Sequence, residues 1–366
     1  MRDSPHKENL SNLTFDQLVE FVRGLSEPAS GASDLWKWIY RRFETDFGLM
    51  NGIRPSLIEK LERFAEITTI EPLEERVSAD SLTRKVLFRL ADGKTIETAL
   101  MFFKNQGSGR DRRTICVSSQ VGCPVGCAFC ATGQQGFERN LSPGEIVAQV
   151  LYFLRLMERE TAPDEANPQR RLTNVVFMGM GEPLANYDNV RRSITILNSP
   201  KGLNMGIRQI TLSTSGMAPE ILKLAQDDVQ CQLALSLHAA NDELRRRLVP
   251  LARKYPVGEL MPVCREYSGK TGRHVYIEYA LFDQVNDSPK DADELIELLG
   301  KGGFPVNLIP CNETSANGFH PPSLDTARAF QKRLISGGVR AMLRVSRGAD
   351  IGAGCGQLKS RWLESR

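Results

Sequence analysis

Residues 114–130 read TICVSSQVGCPVGCAFC. The opening Thr114–Ser118 has the β-branched content of a strand. The residues after it do not: Cys123, Cys127 and Cys130 fall within eight residues, with Gly122 and Gly126 beside them. Three thiols so close in sequence converge only if the backbone wraps a compact object, and the glycines allow a close approach. Thiolates at this spacing suit an iron–sulfur cluster. A structural zinc site uses four ligands, and a bacterial ferredoxin has a fourth cysteine nearby. Three cysteines leave the fourth iron open, a Lewis-acid position able to chelate a substrate.

Downstream of this strand the pattern alternates. Strand signals recur at Asn174–Met178, Gln209–Ser213, Gln232–Ser236, His274–Ala280 and Pro305–Ile309. Helical periodicity falls between them, at Pro143–Glu158, Asn189–Leu197, Pro219–Ala225, Pro256–Tyr267, Pro289–Leu299 and Leu324–Leu334. Six βα units in succession imply an α/β fold with a parallel sheet and right-handed crossovers, closed or stopping as a partial barrel. Functional groups then belong at the C-terminal ends of the strands, which is where the cysteine loop lies.

Upstream the periods differ. Thr14–Gly24, Ser33–Phe47 and Pro55–Glu66 read as helices, giving a small helical N-terminal domain over residues 1–75. Arg84–Leu90 and Thr95–Phe103 alternate as strands about a turn at Asp92-Gly93, a β-hairpin in a linker over 76–111. Residues 112–366, with the βα series, form the main domain. Lys104–Asp111 reads as a polar loop and Thr161–Arg171 as a surface excursion.

The chain has 366 residues, 41% apolar and 25% charged, enough for a sizeable core. A net charge of +3 argues against a DNA-coating protein and permits a local basic patch. No apolar run is long enough to span a bilayer, and the start lacks an apolar signal core. The expectation is a cytoplasmic protein, where eight cysteines point to metal or redox chemistry rather than disulfides. No oligomerisation stripe is evident, so a monomer is expected.

Beyond the cysteine loop, the words Arg139-Asn140-Leu141, VFMGMGEPLANYDNV, LSTSG, LALSLHA and RGADIGAGCGQL occur in order. Cys-x3-Cys-x2-Cys after the first strand resembles the radical S-adenosylmethionine superfamily. The full set of words resembles its RlmN branch, the RNA adenine C2-methyltransferases, over Trp36–Leu358. The resemblance implies a partial (βα)6 TIM-type radical S-adenosylmethionine barrel with a [4Fe–4S] cluster on Cys123, Cys127 and Cys130. It implies S-adenosylmethionine bound by Gly181, Glu182, Ser213, Ser236, Leu237, His238 and Asn312. Each has a physical reading. Glu182 offers a carboxylate to the amino group of the cofactor, and Ser213, Ser236 and His238 end strands where they can bond ribose and carboxylate oxygens.

The resemblance also implies a thiol mechanism. The counterpart of Cys355 is methylated by one S-adenosylmethionine, and the 5′-deoxyadenosyl radical from a second abstracts hydrogen from that methyl. The carbon radical adds to C2 of adenine, which is too electron-poor to attack a sulfonium itself. The counterpart of Glu97 removes the C2 proton, and that of Cys116 attacks sulfur to release the product, leaving a disulfide. The stretch between Glu97 and Cys116 is about half a dozen residues longer than the family pattern, on account of GSGRD. Cys231, Cys264 and Cys311 match no word and read as structural. The implied substrates are an adenine of 23S rRNA at the peptidyl transferase centre and the adenine 3′ to the anticodon in tRNA. A flavodoxin or ferredoxin is the implied electron donor. Candidate phosphate contacts are Arg110, Arg112, Arg113, Arg139, Arg245, Arg246, Arg247, Arg253 and Lys254. Two other readings stand beside this one: a C8 methyltransferase of the same rRNA adenine, and a non-catalytic iron–sulfur electron carrier or RNA-binding module.

Overall fold

Ten strands form one sheet whose spatial order follows the chain: β1 Glu71–Val77, β2 Thr83–Arg89, β3 Thr95–Phe103, β4 Arg112–Cys116, β5 Asn174–Phe177, β6 Ile210–Thr214, β7 Gln232–Ser236, β8 Val275–Leu281, β9 Val306–Pro310 and β10 Ala341–Leu343. This computed structural model describes residues 7–104, 111–160, 172–227, 229–300, 303–313, 318–344 and 346–359. Most of the 104–111 loop, Arg110 and the 161–171 excursion lie outside them.

From β4 to β10 all neighbours are parallel, and β1 to β4 are antiparallel. The central parallel strands are buried, as sheets covered on both faces must be: Leu233, Ala234, Leu235, Ile277, Tyr279, Val306 and Leu308 are all inaccessible to solvent. The sheet is an open partial barrel, as expected. It gains one parallel strand beyond the six foreseen, because β10 has three residues and is too short to show a period. The hairpin β2–β3 is continuous with the barrel sheet through pairing of β3 with β4.

Eleven helices are assigned among the described residues: α1 Phe15–Gly24, α2 Ser30–Arg41, α3 Pro55–Phe64, α4 Ala131–Gln134, α5 Pro143–Arg159, α6 Tyr187–Asn198, α7 Ala218–Gln226, α8 Asp242–Leu248, α9 Val257–Thr271, α10 Pro289–Leu299 and α11 Leu324–Ser336. Their starts reflect local chemistry. Thr14 and Ser142 close capping boxes with Gln17 and Glu145, and Pro55 and Pro143 stand at first helical positions. Helix α2 ends at Arg41 rather than at Phe47, and Phe43 just beyond it takes a left-handed φ of 55°.

Helices α1–α3 share the apolar core of the barrel. Trp36 is fully buried, its ring 4.3 Å from Tyr40 and 5.5 Å from Phe15. Two glycines make the junction. Asn12 accepts a hydrogen bond from Gly144 N–H at 2.9 Å, and a Cβ on Gly202 would lie 2.7 Å from Trp36 Nε1. A Cβ on Gly144 would stand 2.3 Å from Thr68 Oγ1 and 2.8 Å from Ser11 Cβ. Gly144→Val is therefore expected to destabilise the protein by about 1–3 kcal/mol and to expose the N-terminal helices to limited proteolysis. Gly258→Ala, inside α9 and meeting nothing within 4 Å, is the control and should leave the denaturation midpoint unchanged or slightly raised. Equal midpoints for both variants would mean that the junction is not tightly packed.

Candidate active site

The cysteine loop emerges from β4 through a short ribbon in which Gln120–Gly122 pairs with Phe137–Asn140. Gly122 is held at φ 74°, and a Cβ there would lie 1.9 Å from the Gly136 carbonyl oxygen. Gly136 O accepts the Cys123 N–H at 2.8 Å, Cys127 O accepts the Cys130 N–H at 3.2 Å, and Cys130 caps α4. The backbone thus turns the three thiols into one cavity at the C-terminal ends of the parallel strands. Gly181, Glu182, Ser213, Ser236, His238, Asn312 and Cys355 line the same cavity, as do Cys311 and Glu278.

The donor set fits a cluster held at three corners. Among the described residues no three Cys, His, Asp or Glu converge on a single ion, whereas a cubane presents its irons at separate corners. Burial first, then the neighbouring thiols and Glu182, push Cys127 well above the usual thiol range. Burial likewise raises Cys123 to about 12. Iron charge is what lets such thiols ionise together.

Glu182 is 2% exposed and follows Gly181, whose φ of 106° and crowding against Ser119 and Gln120 exclude a side chain. Its carboxylate accepts the Ser215 N–H at 2.7 Å and the Leu184 N–H at 3.1 Å. Burial raises its pKa, and these bonds, with those of Thr214 and Ser215, oppose the rise. Ser213 Oγ and Ser236 Oγ stand 3.3 Å apart across β6 and β7. His238 takes a left-handed φ of 63°, and its Nδ1 accepts the Ala280 N–H at 2.9 Å. The ring proton is thus assigned to Nε2. Burial, aided by Arg245, lowers the pKa to about 3.

Cys355 rides on a loop that returns from β10 across the sheet. Asn312 Nδ2 donates to the Cys355 carbonyl at 3.1 Å, Ala131 N–H to Gly356 O at 2.8 Å, and Thr132 Oγ1 to Leu358 O at 2.6 Å. The Cys355 loop is therefore fastened to α4, the helix that follows Cys130. Cys355 is accessible from the cavity yet crowded by it. Burial within the cavity and then Glu278 raise its thiol to about 11. Cys116, buried at the end of β4, packs with Ala99 and Ala353, and its thiol is pushed up by burial and then by Cys355. All eight cysteines are free thiols, so no disulfide links Cys116 to Cys355.

Of the site residues expected from sequence, Cys116, Glu97 and Leu237 stand outside the cavity lining. Leu237 is fully buried, and its N–H donates to Glu278 O at 3.0 Å. Glu97, on β3, forms a buried ion pair with Lys85 at 2.8 Å. Arg245 is a correction: it is fully buried and unavailable to phosphate. It donates to the carbonyls of Ser215, Leu237 and Tyr255 at 2.6, 3.2 and 3.3 Å, pinning the loops around the cavity. Arg139 is held by Glu145 and Asp92. Arg246, Arg247, Arg253 and Lys254 remain exposed. Sequence reasoning missed Lys85 and the chain in which the half-buried Arg344 donates to the buried Asn307 at 3.1 Å and Asn307 to Glu278 at 2.7 Å.

Comparison with known proteins decides the family. The Radical SAM superfamily matches residues 117–299, and the ribosomal RNA large subunit methyltransferase N-terminal domain matches residues 8–67. A probable dual-specificity RNA methyltransferase RlmN of Syntrophomonas wolfei is 42% identical over 361 residues, 98% of this chain and 99% of that one. The chain belongs to the RlmN family of radical S-adenosylmethionine methyltransferases. The dual-specificity RNA methyltransferase RlmN of Syntrophotalea carbinolica is 40% identical, covering 98% of this chain and 91% of its own. A radical SAM methyltransferase structure from Sphaerobacter thermophilus superposes with a TM-score of 0.88 at 45% identity, covering 96% of this chain and 99% of that one. As a member of the RlmN family, the protein is an enzyme whose cofactors are a [4Fe–4S] cluster and S-adenosylmethionine.

Gly122→Ala should abolish cluster binding, since a methyl there cannot coexist with Gly136 O. Anaerobic reconstitution followed by iron and sulfide analysis checks this. A full complement of iron in the folded variant would show that the loop tolerates a different path.

Proposed function

We propose that this enzyme methylates C2 of an adenine in 23S rRNA, at the peptidyl transferase centre, and of the adenine 3′ to the anticodon, position 37, in tRNA. The observation that carries the reading is the position of Cys355, which shares a cavity with Cys123, Cys127 and Cys130 while its loop packs on Cys116. When bound and reduced, a [4Fe–4S] cluster on Cys123, Cys127 and Cys130 would supply the one electron that cleaves S-adenosylmethionine into methionine and a 5′-deoxyadenosyl radical.

The chain's own groups do the rest. Glu182 binds the cofactor's ammonium through lone pairs its backbone bonds leave free. Ser213, Ser236, His238 and Asn312 orient the remaining polar groups, and Gly181 and Leu237 shape the backbone around them. His238 acts as a neutral donor through Nε2–H. Cys355 accepts a methyl group at sulfur, the sulfonium S–C bond breaking as the thioether forms. Once a hydrogen atom has passed from that methyl to the 5′-deoxyadenosyl radical, its carbon bonds C2 of the ring. Glu97 takes the C2 proton, and the unpaired electron would return to the oxidised cluster. Cys116, as thiolate, then attacks Cys355 Sγ, forming an S–S bond as the S–C bond breaks. The electron pair of that bond stays on the carbon, which takes a proton to become the product methyl.

The helical segment 1–75 serves as an accessory RNA-binding domain, with 76–111 linking it to the methyltransferase domain 112–366. The exposed Arg246, Arg247, Arg253 and Lys254 meet RNA phosphates, and the target adenine is unstacked to enter the cavity. A flavodoxin or ferredoxin donates electrons to a monomeric cytoplasmic enzyme. No helix among the described residues is long and apolar enough to cross a membrane.

The test is an anaerobic reaction of reconstituted enzyme with reductant, S-adenosylmethionine and either a 23S rRNA fragment or tRNA, digested for mass spectrometry. Wild type should yield 2-methyladenosine and Cys355→Ala none. Cys116→Ala should trap RNA covalently on the protein. 8-Methyladenosine would reassign the position of attack, and 5′-deoxyadenosine without any methylated base would remove RNA adenine as substrate.

A further inference from the structure

The pairing registers set up a row of side chains on one face of the sheet. Lys85 on β2 is opposite Ala99 on β3, Ala99 is opposite Cys116 on β4, and Cys116 is opposite Val176 on β5. Glu97 is two residues from Ala99 on the same strand, so its side chain shares that face on the diagonal from Lys85. The two close a 2.8 Å ion pair with side-chain exposures of only 8% and 6%.

Both partners also hold the loop that carries Cys355. Lys85 Nζ donates to the Gly352 carbonyl at 3.2 Å, three residues before Cys355. Glu97 Oε2 accepts the Lys359 N–H at 2.8 Å, four residues after it. Between these points, Ala353 packs on Ala99 and Cys116. A buried ion pair is a poor device for stability, since apolar residues of like volume commonly serve as well. One that grips both flanks of a single loop is suited to positioning.

We propose that Lys85 is a positioning residue that, with Glu97, forms a two-ended clip holding the Cys355 loop over Cys116. The proposal rests on Cys355 as methyl carrier and Glu97 as proton acceptor, and it joins those roles. The carboxylate that takes the substrate proton is also the group that fixes the far flank of the carrier loop. Lys85 keeps that carboxylate paired and fixes the near flank.

Lys85→Met and Lys85→Arg test this in the reconstituted holoenzyme, by amide hydrogen exchange over residues 349–359 and by single-turnover methylation of a 23S rRNA fragment. In Lys85→Met the loop amides should lose protection while those of α5 keep theirs. Its single-turnover rate should fall about 100-fold, the scale for an ångström of misplacement, with RNA affinity unchanged. Lys85→Arg should restore most of both. A Lys85→Met enzyme that keeps its loop protection, or that loses protection yet reacts at the wild-type rate, overturns the proposal. Should Lys85→Met not fold, the double variant Lys85→Met with Glu97→Leu removes both charges, and retained loop protection there overturns it equally. Glu97→Gln separates the two readings. Its one amide oxygen can still accept the Lys359 N–H and hold the far flank, its amide nitrogen replaces the oxygen that pairs with Lys85, and it cannot take a proton. Lost activity with a protected loop supports both roles. Normal activity would end the proton-acceptor assignment while leaving the clip to the Lys85 result.

Discussion

Strand β4 is paired antiparallel to β3 on one side and parallel to β5 on the other, and this change of sense at Cys116 organises the protein. The parallel side builds a (βα) sheet whose strand ends open into one cavity, with the cluster loop leaving β4 directly into it. The antiparallel side extends the same sheet as β3, β2 and β1, bringing Lys85 level with Cys116 and Glu97 two residues along β3 from that level. Cys116 ends β4 at this joint, just outside the cavity lining, and the loop bearing Cys355 crosses there with Ala353 packed against it.

That loop is held by the surfaces it connects. Its carbonyls bond Ala131 and Thr132 at the cluster, its flanks bond Lys85 and Glu97 on the hairpin, and Asn312 holds Cys355 itself. Glycine is required at few of these points. Gly348 and Gly352 adopt left-handed φ of 66° and 67°, which lets the chain turn sharply before Cys355. Gly354 is constrained differently: a Cβ there would lie 2.6 Å from Asn312 Nδ2.

Local chemistry was legible in the sequence and remote chemistry was not. The cysteine spacing, the six βα units, helix α10 to the residue, and the strand-end groups Glu182, Ser213, Ser236 and His238 all rest on signals within a few residues of one another. Lys85 carries no such signal, since its partner Gly352 is 267 residues away. In sequence it is one basic residue on an alternating strand. Arg245 misled for the same reason. It sits in a run of three arginines that reads as a solvated basic face, and only the fold turns the first of them inward onto three carbonyls. Strand β10 was lost to its brevity. The motifs nevertheless carried the cavity residues, because chemistry at the ends of parallel strands is written into short loops.

The electrostatics of the cavity depend on the same pinning. S-adenosylmethionine brings a sulfonium and an ammonium, so a cavity that binds it should add no further positive charge beside them. His238 meets this condition through its backbone: the Ala280 N–H occupies Nδ1, and burial with Arg245 nearby opposes protonation, leaving a neutral ring that donates through Nε2. Arg245 would itself violate the condition if it faced inward. Its guanidinium is instead spent on the carbonyls of Ser215, Leu237 and Tyr255, while Ser215 N–H binds Glu182. One buried cation thus orders the loop that orients the carboxylate. Glu182, held by the Ser215 and Leu184 N–H groups, is left in the same cavity as Cys123, Cys127 and Cys130.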